Sequence, residues 1–398
     1  MSGRIIGIGL ASPRHSIDQS GSLAFAREML FPPNQRGRGL DAIYRRSTVQ
    51  RRGSVLLEQT SPSQPPATDG PTDSASDSPA DSADLRSQNF YPVADSQEER
   101  GPTTGERILR FGEEAMPLAH EASAAALREA GIDAATITHL VVVTCTGFQS
   151  PGVDVGLILS LGLSPETERV QVGFMGCHAA INGLRVASGW VSQDPAARVL
   201  VVCVELCTLH YQYGWETDHL VSNAIFADGA AAVVLVSDSD PAPANSTADS
   251  SGAGQTAATP RLVATGSRLI ADSADAMSWH IGDHGFRMTL SAEVPDRIRA
   301  ELPGFLESWL QRHGLRVADI GGWAIHPGGP RILSSVQESL GLDDELLVEA
   351  RGVLQDHGNM SSPTMLFILE RLARSGRPRP WLMLGFGPGL EVEVALLR

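Results

Sequence analysis

The sequence predicts an α/β protein made of two packed halves, and three observations lead there. Its 398 residues exceed what a single small core organises, at roughly 100 to 200 residues per domain. Short apolar runs alternate with helix-like segments along most of its length. A turn carrying Gly176-Cys177 opens one helical segment, and Gly358-Asn359 precedes another in the second half, as a duplicated unit would produce. A composition of 42% hydrophobic residues, 5% aromatics and 40 glycines supplies a large core with tight turns and close backbone approaches.

In chain order, Arg4-Ile5-Ile6-Gly7-Ile8-Gly9-Leu10 is too short and wrongly flanked for a secretory leader and reads as a first strand. Residues 58–88 are rich in Ser, Pro, Asp and Ala. Such a segment cannot bury enough apolar surface to order itself and is expected to be a flexible acidic insertion. Residues 104–130 read as a helix, 140–144 and 170–174 as strands, and 178–190 as a small-residue helix, followed by strands at 199–205 and 230–236. A second biased segment, 238–260, then divides a first half, 1–237, from a second, 261–398. Beyond it, helices at 296–313, 331–340 and 364–375 alternate with strands at 323–325, 381–385 and 390–397.

The formal charge of −15 argues against nucleic acid and anionic membranes as partners, since both call for clustered Lys and Arg. Part of that charge is local: residues 58–100 hold nine Asp or Glu against two Arg, a net of seven negative charges. No apolar run reaches the ~18 residues of a membrane span. The cysteines, Cys145, Cys177, Cys203 and Cys207, sit in apolar segments rather than in a spaced framework, which points to reduced thiols and a cytoplasmic location.

Four motifs carry chemistry. Cys177 follows an apolar run and precedes a helix, whose dipole and free amides would favour a thiolate. His326 ends a strand and is followed by Pro327-Gly328-Gly329-Pro330, a rigid turn without side chains to block a ligand. Beside a cysteine it could form an ion pair that activates the sulfur. Asn359 reads either as a helix cap or as an amide donor to an oxygen that becomes an enolate. Gly385-Phe386-Gly387-Pro388-Gly389-Leu390 is a turn stiff enough to wall a cavity. Cys203, Cys207 and His210 resemble zinc spacing, but on an extended strand the two sulfurs would lie about 13 Å apart. Zinc–sulfur bonds of about 2.3 Å cannot span that distance, and no metal is expected.

Together with Phe226-Ala-Asp-Gly-Ala-Ala-Ala, these motifs resemble the type III polyketide synthases, the chalcone and stilbene synthase-like family, over nearly all the chain outside the two biased segments. The resemblance implies a thiolase-like fold, two duplicated αβα halves forming five αβαβα layers. It implies a homodimer with no permanently bound cofactor, taking CoA thioesters as substrates. Cys177 would carry the acyl chain, while His326 and Asn359 orient malonyl-CoA and stabilise the enolate left by loss of carbon dioxide. Phe226 would shape the tunnel mouth and keep the malonyl carboxylate poorly solvated.

Cys145, Cys207 and His210 fall where plant chalcone synthases carry threonines, and Met288 falls where a second gatekeeper phenylalanine is usual. With Gly385, Phe386, Gly387, Pro388 and Gly389 they are expected to line the cavity. These departures point away from a flavonoid product and toward malonyl or long-chain acyl starters, the long chain being preferred because methionine leaves a deformable opening. Arg45, Arg46, Arg51 and Arg52 resemble the family's docking region for CoA phosphates, which suit arginine forks. The implied reaction is iterative decarboxylative condensation of malonyl-CoA onto an acyl-CoA starter, then cyclisation to a pyrone or phenol. A single-round initiating ketosynthase and a catalytically inactive acyl-binding scaffold stand as alternatives. Hydroxymethylglutaryl-CoA synthase would need a catalytic glutamate that does not accompany these turns.

Overall fold

The computed structural model describes residues 3–32, 37–59, 86–241 and 259–398. Most of both biased segments, 60–85 and 242–258, and with it the expectation of flexibility, lies outside the described residues. In the first half the elements are β1 (Gly3–Ala11), β2 (Ser16–Asp18), α1 (Gln19–Met29), α2 (Gly37–Arg46), β3 (Arg51–Gly53), β4 (Glu58–Gln59), β5 (Arg86–Ser87) and α3 (Thr104–Ala130). They continue with β6 (His139–Thr144), α4 (Val153–Leu161), β7 (Glu168–Gly173), α5 (Ala179–Gln193), β8 (Arg198–Leu206), α6 (Thr217–Ile225) and β9 (Asp228–Ser237). The second half holds β10 (Arg261–Leu269), β11 (Met277–Gly282), β12 (Gly285–Leu290), α7 (Val294–Gln311), β13 (Gly322–Ile325), α8 (Pro330–Leu340), α9 (Val348–His357), α10 (Ser362–Ser375), β14 (Trp381–Gly387) and β15 (Glu391–Leu397).

Nine strands pair in the order β13-β14-β15-β10-β1-β9-β8-β6-β7. The two sides repeat one pattern. β6 runs parallel to β8, β8 antiparallel to β9, and β9 antiparallel to β1; β13, β14, β15 and β10 repeat those directions in that order. The halves join where Gly3 pairs with Leu262 and Arg4 with Arg261, and β7 extends the first half alongside β6.

Helices α5 and α10 pack on one another between the half-sheets, α5 against β6, β8, β9 and β15, and α10 against β8, β9 and β13. α3 covers the outer face of the first half. α7, paired with α8, covers that of the second, where Trp309 fills the space beside Gly266 of β10. This is the five-layer αβαβα arrangement of a thiolase-like fold. The residues explain the closeness of the layers. α3 buries Ala115, Ala119, Ala122, Ala126 and Ala130, spaced by three or four so that they share one face. That face meets β1 so tightly that a Cβ at Gly7 or Gly9 would collide with the carbonyls of Ala126 and Ala122. A Thr103–Glu106 capping box starts α3 and left-handed Gly131 ends it. No helix among the described residues is long and apolar enough to cross a membrane.

Candidate active site

β7 ends at Gly173, and five residues, Phe174 to His178, turn the chain into α5. Gly176 has φ 83°, a left-handed conformation that glycine adopts without a Cβ penalty. A side chain there would also collide with Pro388. The Gly176-Cys177 turn and the 385–390 turn, far apart in sequence, therefore interlock.

Burial pushes the Cys177 thiol up to about 11; the side chains of Ser361 and Asn359 work against the push and the Glu205 carboxylate adds to it. Desolvation of the enclosed sulfur therefore opposes the thiolate that the helix N-terminus favours. His326 continues the β13–β14 ladder, its N–H donating to the Leu384 carbonyl at 2.8 Å. Its ring is buried, and neither nitrogen has a hydrogen-bond partner among the described residues. Burial, and then the adjacent His178, push its pKa down to about 3. Burial therefore disfavours the imidazolium form of His326.

Asn359 is not the cap of α10, whose capping position is Ser361. Its backbone bridges Phe226, with Asn359 N–H donating to Ile225 at 2.8 Å and Ala227 N–H to Asn359 at 2.9 Å. Its Oδ1 accepts from the Ser361 amide at 2.8 Å, which leaves the side-chain nitrogen as its remaining donor.

A cavity of about 50 Å³ opens beside Cys177, with Cys145, Cys207, Phe226, Met288 and Pro388 in its wall. The β11–β12 hairpin closes it: Trp279 and Met288 are cross-strand partners, and Trp279 Nε1 donates to the Cys145 carbonyl at 2.8 Å. Burial raises the Cys145 and Cys207 thiols well above the usual range. Cys145 accepts the Gly176 amide at 3.2 Å. Gly385, Phe386, Gly387 and Gly389 do not line this cavity, contrary to expectation. Gly385 and Gly387 make room for His178, and only Pro388 of that turn reaches the wall.

His210 borders a second chamber, about 80 Å³, which shares Cys207 and Phe226 with the first. Its Nε2 donates to the Thr146 carbonyl at 2.7 Å and its Nδ1 accepts from the Phe286 amide at 3.0 Å. Both nitrogens are committed, and burial holds its pKa near 3. It has no lone pair for an ion or a substrate, in contrast to His326. β8 also ends at Leu206 and Cys207 opens a 3-10 turn, so the extended geometry assumed for the zinc-like spacing does not occur.

The four arginines separate. Arg52 is buried and donates to the Phe226 carbonyl at 3.0 Å, as well as to Asn223 and Ser22, so it braces the site and is not free to dock phosphate. Arg45 and Arg51 are exposed. Arg46 borders a third cavity, about 580 Å³, together with Gly328, Gly329 and Arg331. Sequence reasoning missed Arg331, Ser361, His178, Trp279 and Glu205. Ser361 and His178 adjoin motif residues, and Glu205 is a carboxylate ending an apolar strand; Trp279 and Arg331 carried no such signal.

Family models for the N-terminal and C-terminal domains of chalcone and stilbene synthases match residues 94–241 and 261–398. The chain is 31% identical over 394 residues to the alpha-pyrone synthesis polyketide synthase-like Pks18 of Mycobacterium tuberculosis, covering 98% of this chain and 89% of that one. It is 37% identical over 286 residues to the 1,3,6,8-tetrahydroxynaphthalene synthase of Streptomyces peucetius, covering 71% and 73%. The crystal structure of PKS-I from the brown alga Ectocarpus siliculosus superposes with a TM-score of 0.82 at 30% identity, covering 100% of this chain and 98% of that one.

Proposed function

Because the chain belongs to the chalcone and stilbene synthase family and is an acyltransferase of the type III polyketide synthase kind, we propose that Cys177, His326 and Asn359 carry its reaction. The enzyme condenses malonyl-CoA iteratively onto an acyl starter. In the first step Cys177 sulfur attacks the starter thioester; neutral His326 takes the thiol proton and returns it to the departing CoA sulfur. Malonyl-CoA then loses carbon dioxide while His326 and the Asn359 amide donate to its thioester oxygen, and the resulting enolate carbon attacks the Cys177 thioester. The attack expels the Cys177 sulfur and leaves the chain, two carbons longer, on CoA; transfer back to Cys177 starts the next round, and the chain cyclises after the last.

One observation carries this assignment. His326 is buried with both nitrogens unpaired, which costs roughly 1–3 kcal/mol for each unsatisfied polar group unless a bound molecule supplies the partners. His210, equally buried, leaves nothing to be paired. A single-round ketosynthase is not favoured, since the relatives include a naphthalene synthase and an alpha-pyrone synthase-like protein.

A long-chain acyl starter is supported by the second chamber, whose wall includes Ile17, Phe25, Leu56 and Leu57 and suits an aliphatic tail. For CoA we assign the third cavity, where Arg46 and Arg331 stand near Gly328, two residues beyond His326. Four free cysteines suit a cytoplasmic enzyme, and a homodimer is argued below. The test is mass spectrometry of products from malonyl-CoA with acyl-CoAs of increasing length, comparing wild type with Cys177→Ala. Multi-unit pyrones or phenols that vanish in the variant are expected, with the best yield from long starters. A single β-keto product, or an unaltered product pattern in Cys177→Ala, would overturn the assignment.

A further inference from the structure

The polar side chains in the wall of the second chamber spend their hydrogen bonds on the protein itself. Ser22 accepts from Arg52, which also donates to the Asn223 and Phe226 carbonyls. The Ser54 and Thr208 hydroxyls are 2.7 Å apart, and Thr208 donates to Asp228 at 2.6 Å. Gln88 uses both ends of its amide on the Tyr91 backbone, Tyr91 Oη donates to the Thr208 carbonyl at 2.9 Å, and Asn223 closes on the Gln212 backbone. With His210 committed at both nitrogens, one group is left over. Tyr211 follows the turn that Cys207 opens and is 9% exposed, and its hydroxyl is buried with no hydrogen-bond partner among the described residues. Its ring contacts those of Phe25 and Tyr91, and its hydroxyl feels the charge of Arg52; all three belong to the same wall. Of the oxygen and nitrogen side chains in that wall, Tyr211 alone is left to a ligand, and a single polar group in an otherwise apolar pocket sets how a guest lies in it.

We propose that Tyr211 is a specificity-determining residue whose hydroxyl donates to a carbonyl oxygen of the polyketide chain as it extends from Cys177 into the second chamber. Burial raises the Tyr211 phenol well above its usual range, so it keeps its proton and stays a donor at neutral pH. The alkyl tail of a starter offers that donor nothing. A poly-β-keto chain carries a carbonyl on every second carbon, so extension itself supplies the acceptor. An unpaired buried hydroxyl is a cost that the extended chain removes and the starter does not. The chamber therefore holds the extended intermediate more tightly than the starter, which favours a further round over early release.

The inference rests on the polyketide reading of the site, and the two fail differently. Full-length wild type and Tyr211→Phe are given a saturated long-chain acyl-CoA or hydroxyacyl-CoAs of the same length, with and without malonyl-CoA. Mass spectrometry follows acylation of Cys177 and the number of extensions in each product. Without malonyl-CoA, the saturated starter is expected to acylate both proteins at one rate. With it, the ratio of longer to shorter products should fall about threefold to tenfold in Tyr211→Phe, the weight of one neutral hydrogen bond. The urea midpoint of the variant should hold or rise, because no bond within the protein is lost; a clear drop would show that the hydroxyl serves the fold and would overturn the proposal. An unmoved product ratio would overturn the role of Tyr211 alone. So would a loss confined to acylation by hydroxyacyl-CoA, which would give the hydroxyl to the starter. A wild type that makes no multi-unit product would overturn the polyketide reading as well.

Discussion

Glu205 is the last residue but one of β8, in an apolar run with no exposure to solvent. Its carboxylate accepts from the Cys145 amide at 2.9 Å, from Thr146 at 2.8 Å and from Ser362 at 2.8 Å, so it ties the cavity wall to the start of α10. Burial outweighs those bonds and raises its pKa from 4.5 to about 7. A carboxyl raised on folding contributes stability that is complete below its unfolded value and lost as pH climbs through the folded one. Wild type should therefore lose up to about 3 kcal/mol between about pH 5 and pH 8 relative to Glu205→Gln. Asp228, raised to about 6 by burial, acts with the same sign in both proteins and cancels. Urea midpoints at the two pH values check this, and parallel curves would contradict it. Cys177, His326 and Asn359 stood out as candidates because glycines and prolines flank them. Glu205 and His178 were not, because a buried polar group shows its partners only after folding.

At the scale of elements, the strands that read clearly were those buried on both faces, such as β8 and β9, whose continuous apolar runs leave little ambiguity. β10 was missed because most of it is not buried and Gly266, Ser267 and Arg268 interrupt its pattern. The β11–β12 hairpin was missed for a similar reason, being polar and half-exposed. What packing adds is visible in β1, read correctly as a strand although the reason for its glycines lay in α3. Because Gly9 faces backbone rather than a movable side chain, Gly9→Ala must displace the helix and should cost at least ~2 kcal/mol, in the range of core overpacking. Gly39, exposed in α2 with open space around its Cα, is the control. Alanine there should gain about 0.5 to 1 kcal/mol from helix propensity. Denaturant midpoints of the two variants should move in opposite directions, and equal shifts would remove the close-packing argument.

For the whole molecule, duplication was foreshadowed by the Gly176-Cys177 and Gly358-Asn359 turns, but the mode of association leaves no motif. It is read from the surface instead. β7 is the last strand of the sheet and pairs with β6 alone among the described residues. Such an open edge invites a further strand. Beside it α4 exposes Leu159 by 77%, and Phe148 and Phe174 are 46% and 41% exposed, a set of apolar groups that a lone protein rarely leaves uncovered. We assign this face to a second copy of the chain, packed about a two-fold axis. The consequence reaches the chemistry. The rings of Phe148 and Phe174 contact each other and Phe286, which stacks on His210, and Phe174 lies three residues before Cys177. Leu159→Asp places a charge in the interface without touching the cavity, so it should shift light scattering from dimer toward monomer. It should also lower the Cys177 acylation rate about tenfold in dilute solution, with recovery as protein concentration rises, because mass action restores the covered face. Wild type that scatters as a monomer at every concentration, or a monomeric variant acylated at the wild-type rate, would show that one chain suffices.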